Sequence, residues 1–243
     1  MNKPNTTRKR IAERYTGPLD ESQTAQGIAA IRANVTQLVS AAAVLLSAGI
    51  DSLSCALSLL AVEEAQKAML LLSVFYSDAP QDIQRAWKEL RDHRAKHQNV
   101  GFDIASCAIV EGTIAPDDDE AIDRKIKEAT HPDILEEVKQ ALIYCDCIVD
   151  PNGLPVWSCP VNISPHAAAD ARRLLESARE YLEHIYPFTE EELRVWKKHM
   201  APARSKPIKD QFEFMKRCEA ELRELGLPVP ERLSKLIQTS EGG

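Results

Sequence analysis

Eight residues in two runs could do chemistry together: Glu63, Glu64 and Lys67 in one, and Arg91, His93, Arg94, Lys96 and His97 in the other. The first run interrupts a segment, Leu53 to Leu72, that is otherwise apolar on nearly every side. An unpaired buried charge is costly, so those charges require partners. The turn between the two runs is centred near Ala79. In an antiparallel helical hairpin this sets Glu64 level with Arg94 and Lys67 level with Arg91, and predicts a Glu64–Arg94 ion pair. The second run continues the apolar stripe of Ile83, Trp87 and Leu90 with Arg94 and His97, where aliphatic residues would be expected. Two polar stripes therefore meet in one buried or half-buried cluster. It could be a salt-bridge network that fixes the register of the hairpin, or a reactive or ligand-binding site. A metal held by His93, His97 and Glu64 is disfavoured because Arg and Lys crowd the same volume and repel a cation. Cys145, Cys147 and Cys159 with His166 match zinc-site spacing poorly. Neither a metal nor a cofactor is expected.

The elements that must position these residues are helical. The chain has 243 residues, 44% hydrophobic, with 9 glycines and 5% aromatics, which disfavours sandwiches and barrels and predicts a mostly α fold. The net charge of −7 excludes a generic polyanion binder, so any nucleic-acid contact must be local. Apolar residues at helical spacing over Asp20–Ala48, then Gly49, predict a first helix. Asp51 or Ser52 is the expected cap of a second, reaching about Ser77. Asp78-Ala79-Pro80 opens a third, expected to run to about Gln98. The strongly apolar stretch Leu53–Phe75 carries Glu63, Glu64 and Lys67 at its centre and is read as a buried helix rather than a membrane span.

Tyr144–Val149 and Leu154–Cys159, flanking Asn152-Gly153, predict a small β-hairpin inserted among the helices. A helix from Ser164 to about Ile185 and a capping box at Thr189 and Glu192 follow. The expected organisation is a disordered basic tail over 1–18, a helical domain over 19–199, and an extension over 200–243 with short helices on a partly mobile segment. No targeting segment is evident, so a cytoplasmic protein with reduced cysteines is expected.

Several motifs occur in order: Glu63-Glu64-x-x-Lys67 in an Ala/Leu-rich helix, Trp87, Arg91-x-His93-Arg94-x-Lys96, Lys139, Tyr144-x-Asp146, Asn152-Gly153 and Trp157. The series resembles the AbiV family of abortive-infection (phage-resistance) proteins over roughly residues 30 to 185, and the helical part is similar to HEPN domains. Gln66 stands where the family usually has Gly, and Cys145 replaces a valine.

The resemblance implies a HEPN-like helical bundle and a homodimer, which the Ala-rich faces (Ala41, Ala42, Ala43; Ala56, Ala61, Ala65, Ala68) would permit. It also implies an R-x(4–6)-H motif, met here by Arg91 and His97, for RNA cleavage without a metal. In that chemistry the arginine holds the scissile phosphate and the histidine exchanges protons. Glu64, Lys67, His93, Arg94 and Lys96 would order the pair. The rival expectation is a non-catalytic protein that binds a phage or host protein. A basic run, Arg194, Lys197, Lys198, Arg204, Lys206 and Lys209, includes Trp196. It is either a solvated surface or a contact for RNA or an acidic partner, with an exposed Trp196 stacking on a base. No membrane partner is expected.

Overall fold

The computed structural model describes residues 14–92, 114, 118, 120, 121, 124, 142, 146–149, 155–158, 167–203 and 208–241. Helix α1, Glu21–Ser47, opens on a capping box: Gln23 N–H donates to Asp20 Oδ1 at 2.7 Å, and Asp20 N–H donates to Gln23 Oε1 at 3.1 Å. The helix ends where Gly49 takes φ 73°, a left-handed conformation that costs glycine nothing. Helix α2, Asp51–Phe75, follows at once. Its N-cap is Ile50, with no side-chain cap bond, so neither Asp51 nor Ser52 caps it; Asp51 lies one position inside, where a carboxylate suits the helix dipole.

Small residues let these two helices approach. Ala61, Ala65 and Ala68 of α2 pack in one core with Ile28, Val35, Val39 and Ala42 of α1. Ser54 Oγ donates to Ala42 O at 2.8 Å in the buried interface. The buried α2 matches its reading as a core helix. By length and composition alone α1 could cross a membrane, and 22% of its most apolar stretch is buried in the fold.

Helix α3, Pro80–Arg91, starts with proline in its first position and packs Ile83 and Ala86 against Val74. It ends at Arg91, and Asp92 is extended at φ −87°, ψ 126°. The expected run to Gln98 is corrected to an end at Arg91, with Asp92 as the C-cap; residues 93–98 lie outside the described residues.

Strands β1, Asp146–Val149, and β2, Pro155–Ser158, pair antiparallel with Cys147 opposite Trp157 and Ile148 opposite Val156. Asn152-Gly153 lies outside the described residues. Helix α4, Ala167–His184, then lays Leu175 and Ala178 into the main core, while its Ala171 packs with Cys55, Ala56, Leu59 and Leu142.

Helix α5, Glu190–Ala203, crosses position 199 without a break. Its capping box is the one read from Thr189 and Glu192: Glu192 N–H donates to Thr189 Oγ1 at 3.2 Å, and Thr189 N–H donates to Glu192 Oε2 at 2.6 Å. Helices α6, Ile208–Glu224, and α7, Glu231–Glu241, complete the described chain. Leu193 joins the main core, and Val195 packs with Cys218 and Leu222. Burial pushes the Cys218 thiol up to about 12, with Glu221 adding to the effect. Burial, then Asp170 and Asp51, pushes Cys55 up to about 11. Both thiols are buried and neither is in a disulfide.

Candidate functional site

On α2, Leu53, Leu57, Leu60, Glu64 and Lys67 recur at helical spacing along one incompletely buried face. Glu64 and Lys67 form an ion pair one turn apart, with side chains 19% and 28% exposed. Glu63 turns away from this face and is buried. The expected partner of Glu64, Arg94, lies outside the described residues, as do His93, Lys96 and His97. Because Glu64 is paired locally and half-solvated, Glu64→Ala is expected to cost less than about 1 kcal/mol. Chemical denaturation checks this, and a loss of about 3 kcal/mol would restore a buried network around Glu64.

Arg91 is drawn elsewhere, toward the segment that precedes α1. Its guanidinium stacks over the Trp87 ring, 5.1 Å from the centroid, and Nη2 donates to Tyr15 O at 2.7 Å. Trp87 Nε1 donates to Gly17 O at 2.8 Å. The Tyr15 ring meets Trp87 edge to face at 6.2 Å, and its hydroxyl donates to Pro18 O at 2.7 Å. The last residues of the expected disordered tail are therefore packed on α3. The eight-residue cluster divides accordingly among the described residues: Glu64 and Lys67 come together, and Arg91 faces the N-terminal segment. Sequence reasoning did not find Tyr15 and Gly17; the available signal was an isolated aromatic followed by Gly17-Pro18 just before the cap Asp20.

The basic run is also drawn into packing. Lys197 Nζ sits 4.8 Å from the Phe75 ring centroid and 3.7 Å from Asp78 Oδ1. Lys198 Nζ and His199 Nε2 reach Glu221 Oε2 at 2.6 Å and 2.7 Å, and hold that carboxyl below its ordinary range. Arg194 is exposed. Trp196 corrects the expectation of an exposed base-stacking ring: it packs edge to face on Phe188 at 5.3 Å and against the Val195–Cys218–Leu222 cluster, with its Nε1 buried. Arg204 and Lys206 lie outside the described residues, and Lys209 lies on α6. Among the described residues no three His, Cys, Asp or Glu side chains gather to hold a metal. The side chains of Cys145, Cys147, Cys159 and His166 are not among those described.

No curated protein and no solved structure matches the chain. Residues 23–183 match the family model HEPN_AbiV, described as AbiV, a span that runs from α1 through nearly all of α4. It covers more than half of the sequence and takes in Glu64, Lys67, Arg91 and His97. The chain belongs to the AbiV family of HEPN proteins.

Proposed function

We propose that this chain, an abortive-infection defence protein of the HEPN type, protects by cutting RNA without a metal. Arg91 takes the scissile phosphate and His97 the proton. The 2′-oxygen bonds to phosphorus while the bond to the 5′-oxygen breaks; one proton leaves the 2′-hydroxyl and one reaches the leaving 5′-oxygen, His97 serving at one of these two positions and water at the other, and Arg91 neutralises the charge that develops on the phosphate. Lys67, Glu64, His93, Arg94 and Lys96 order the pair. Arg194, Lys197 and Lys198 mark a second surface for RNA or partner contact, in which Arg194 and Lys198 are exposed. The working form in this reading is a cytoplasmic homodimer that needs no cofactor and no membrane.

The observation that carries this reading is the placement of Arg91. A guanidinium seated 5.1 Å over an aromatic face has less rotamer freedom left to lose, which is what phosphate recognition asks of arginine. Purified protein incubated with total cellular RNA is expected to cleave it in the presence of a chelator, and His97→Ala to abolish cleavage. Intact RNA with the parent protein would overturn the reading.

A second reading, a non-catalytic protein that blocks phage development by binding a phage or host protein, is favoured by one observation: Glu64 is spent on Lys67, and Arg91 on a backbone carbonyl. Under it, protection from phage survives His97→Ala.

A further inference from the structure

We propose that residues 14–18 form a strap that occupies the phosphate position of Arg91, so that an RNA strand gains Arg91 only by displacing it. This rests on the reading of Arg91 as a phosphate contact. Tyr15 O accepts from Nη2 at 2.7 Å, where a phosphate oxygen would accept. The strap is tied down at two further points, Gly17 O by Trp87 Nε1 and the Tyr15 ring by the Trp87 edge. These ties cross 70 and 76 residues of sequence, so they are tertiary contacts.

The strap is weakly held. Tyr15 is 54% exposed, its hydroxyl is used within the strap itself, and a neutral carbonyl is a poorer acceptor for a guanidinium than an anion. A phosphate can therefore take its place. The apparent affinity for RNA is then the intrinsic affinity multiplied by the fraction of molecules with the strap open.

Gly17 gives a way to open it without touching Arg91 or Trp87. A Cβ there would lie 2.5 Å from the Tyr15 hydroxyl oxygen and 2.7 Å from Cζ, so the ring must swing off Trp87 and give up Pro18 O.

The probe is a labelled single-stranded oligoribonucleotide with 2′-O-methyl groups, which cannot be cleaved, read by fluorescence anisotropy against the full chain. Gly17→Ala is expected to tighten binding about fivefold, the size of one net hydrogen bond. Tyr15→Ala, which removes the ring, is expected to do the same and carries the test if Gly17→Ala fails to fold. Arg91→Ala should abolish the gain in either background. If Gly17→Ala and Tyr15→Ala weaken binding or leave it unchanged while Arg91→Ala weakens it, the strap is no barrier and the idea is overturned with the Arg91 reading intact. If Arg91→Ala has no effect in the Gly17→Ala background, both fall.

Discussion

Arg91→Ala is expected to lower the rate of RNA cleavage by about a hundred- to a thousandfold, the loss seen when one preorganised donor to a developing oxyanion is removed. Arg91→Lys should recover little of it, because an ammonium has neither the planar fork for two phosphate oxygens nor the flat surface that stacks on Trp87. The stability cost should be small by comparison. The stack and the bond to Tyr15 O are each worth about 1 kcal/mol at a partly exposed site. The variant should therefore be folded and inactive, a combination that a purely structural arginine would not produce. Single-turnover cleavage of a labelled RNA, beside a urea melt, checks both halves. A rate within about threefold of the parent would remove Arg91 from the chemistry, since the loss expected from a phosphate donor is far larger. Protection that persists in the same variant would turn attention to a binding mode of defence.

The largest expected loss of stability is at Phe75→Ala. Phe75 is 1% exposed, at the C-terminal end of α2, packed in the core with Leu193 of α5 and Ile185, and covered on one face by the Lys197 ammonium. Truncation removes the ring and leaves a cavity that the surrounding helices cannot close, which costs about 3–5 kcal/mol. For a chain of this size that lowers the melting temperature by roughly 6–20 °C. Lys197→Ala, which loses only a cation–π contact and an ion pair to exposed Asp78, should cost about 1 kcal/mol or less. A Phe75→Ala loss no larger than that of Lys197→Ala would mean that α5 does not close over the end of α2.

Where the deciding signals are local, the sequence was readable. Asp20 with Gln23, Gly49, Pro80, and Thr189 with Glu192 each act within one helical turn, and the helices begin or end at them. The end of α3 is different. No glycine or proline stands between Arg91 and Gln98, so the stripe extrapolates smoothly through Arg94 and His97. The structure instead turns extended at Asp92, beside side chains tied to a segment 70 and 76 residues away, a contact no local pattern encodes.

The site was legible to the same degree. The i,i+3 spacing of Glu64 and Lys67 brings them together on its own, whereas Arg94, the partner expected from the hairpin register, lies outside the described residues. The cover over Trp196 comes from Cys218 and Leu222 on the next helix, and the partner of Lys198 is Glu221, so the basic run looked freer in sequence than it is.

The joining of Ile185 and Leu193 to Ile28, Val35 and Phe75 in one core has a consequence for how the chain is made. Helices α1 to α3 leave the ribosome long before α5 exists. At typical rates of synthesis, the interval between Phe75 and Leu193 is roughly 6–24 s. Throughout it the apolar side that α5 will cover faces solvent or a chaperone, and closure must wait for contacts far apart in sequence, which also makes the search itself slower. A nascent copy therefore cannot complete its core until translation has passed α5, and interruption of synthesis before that point yields an open, aggregation-prone hairpin in place of a partial defence protein.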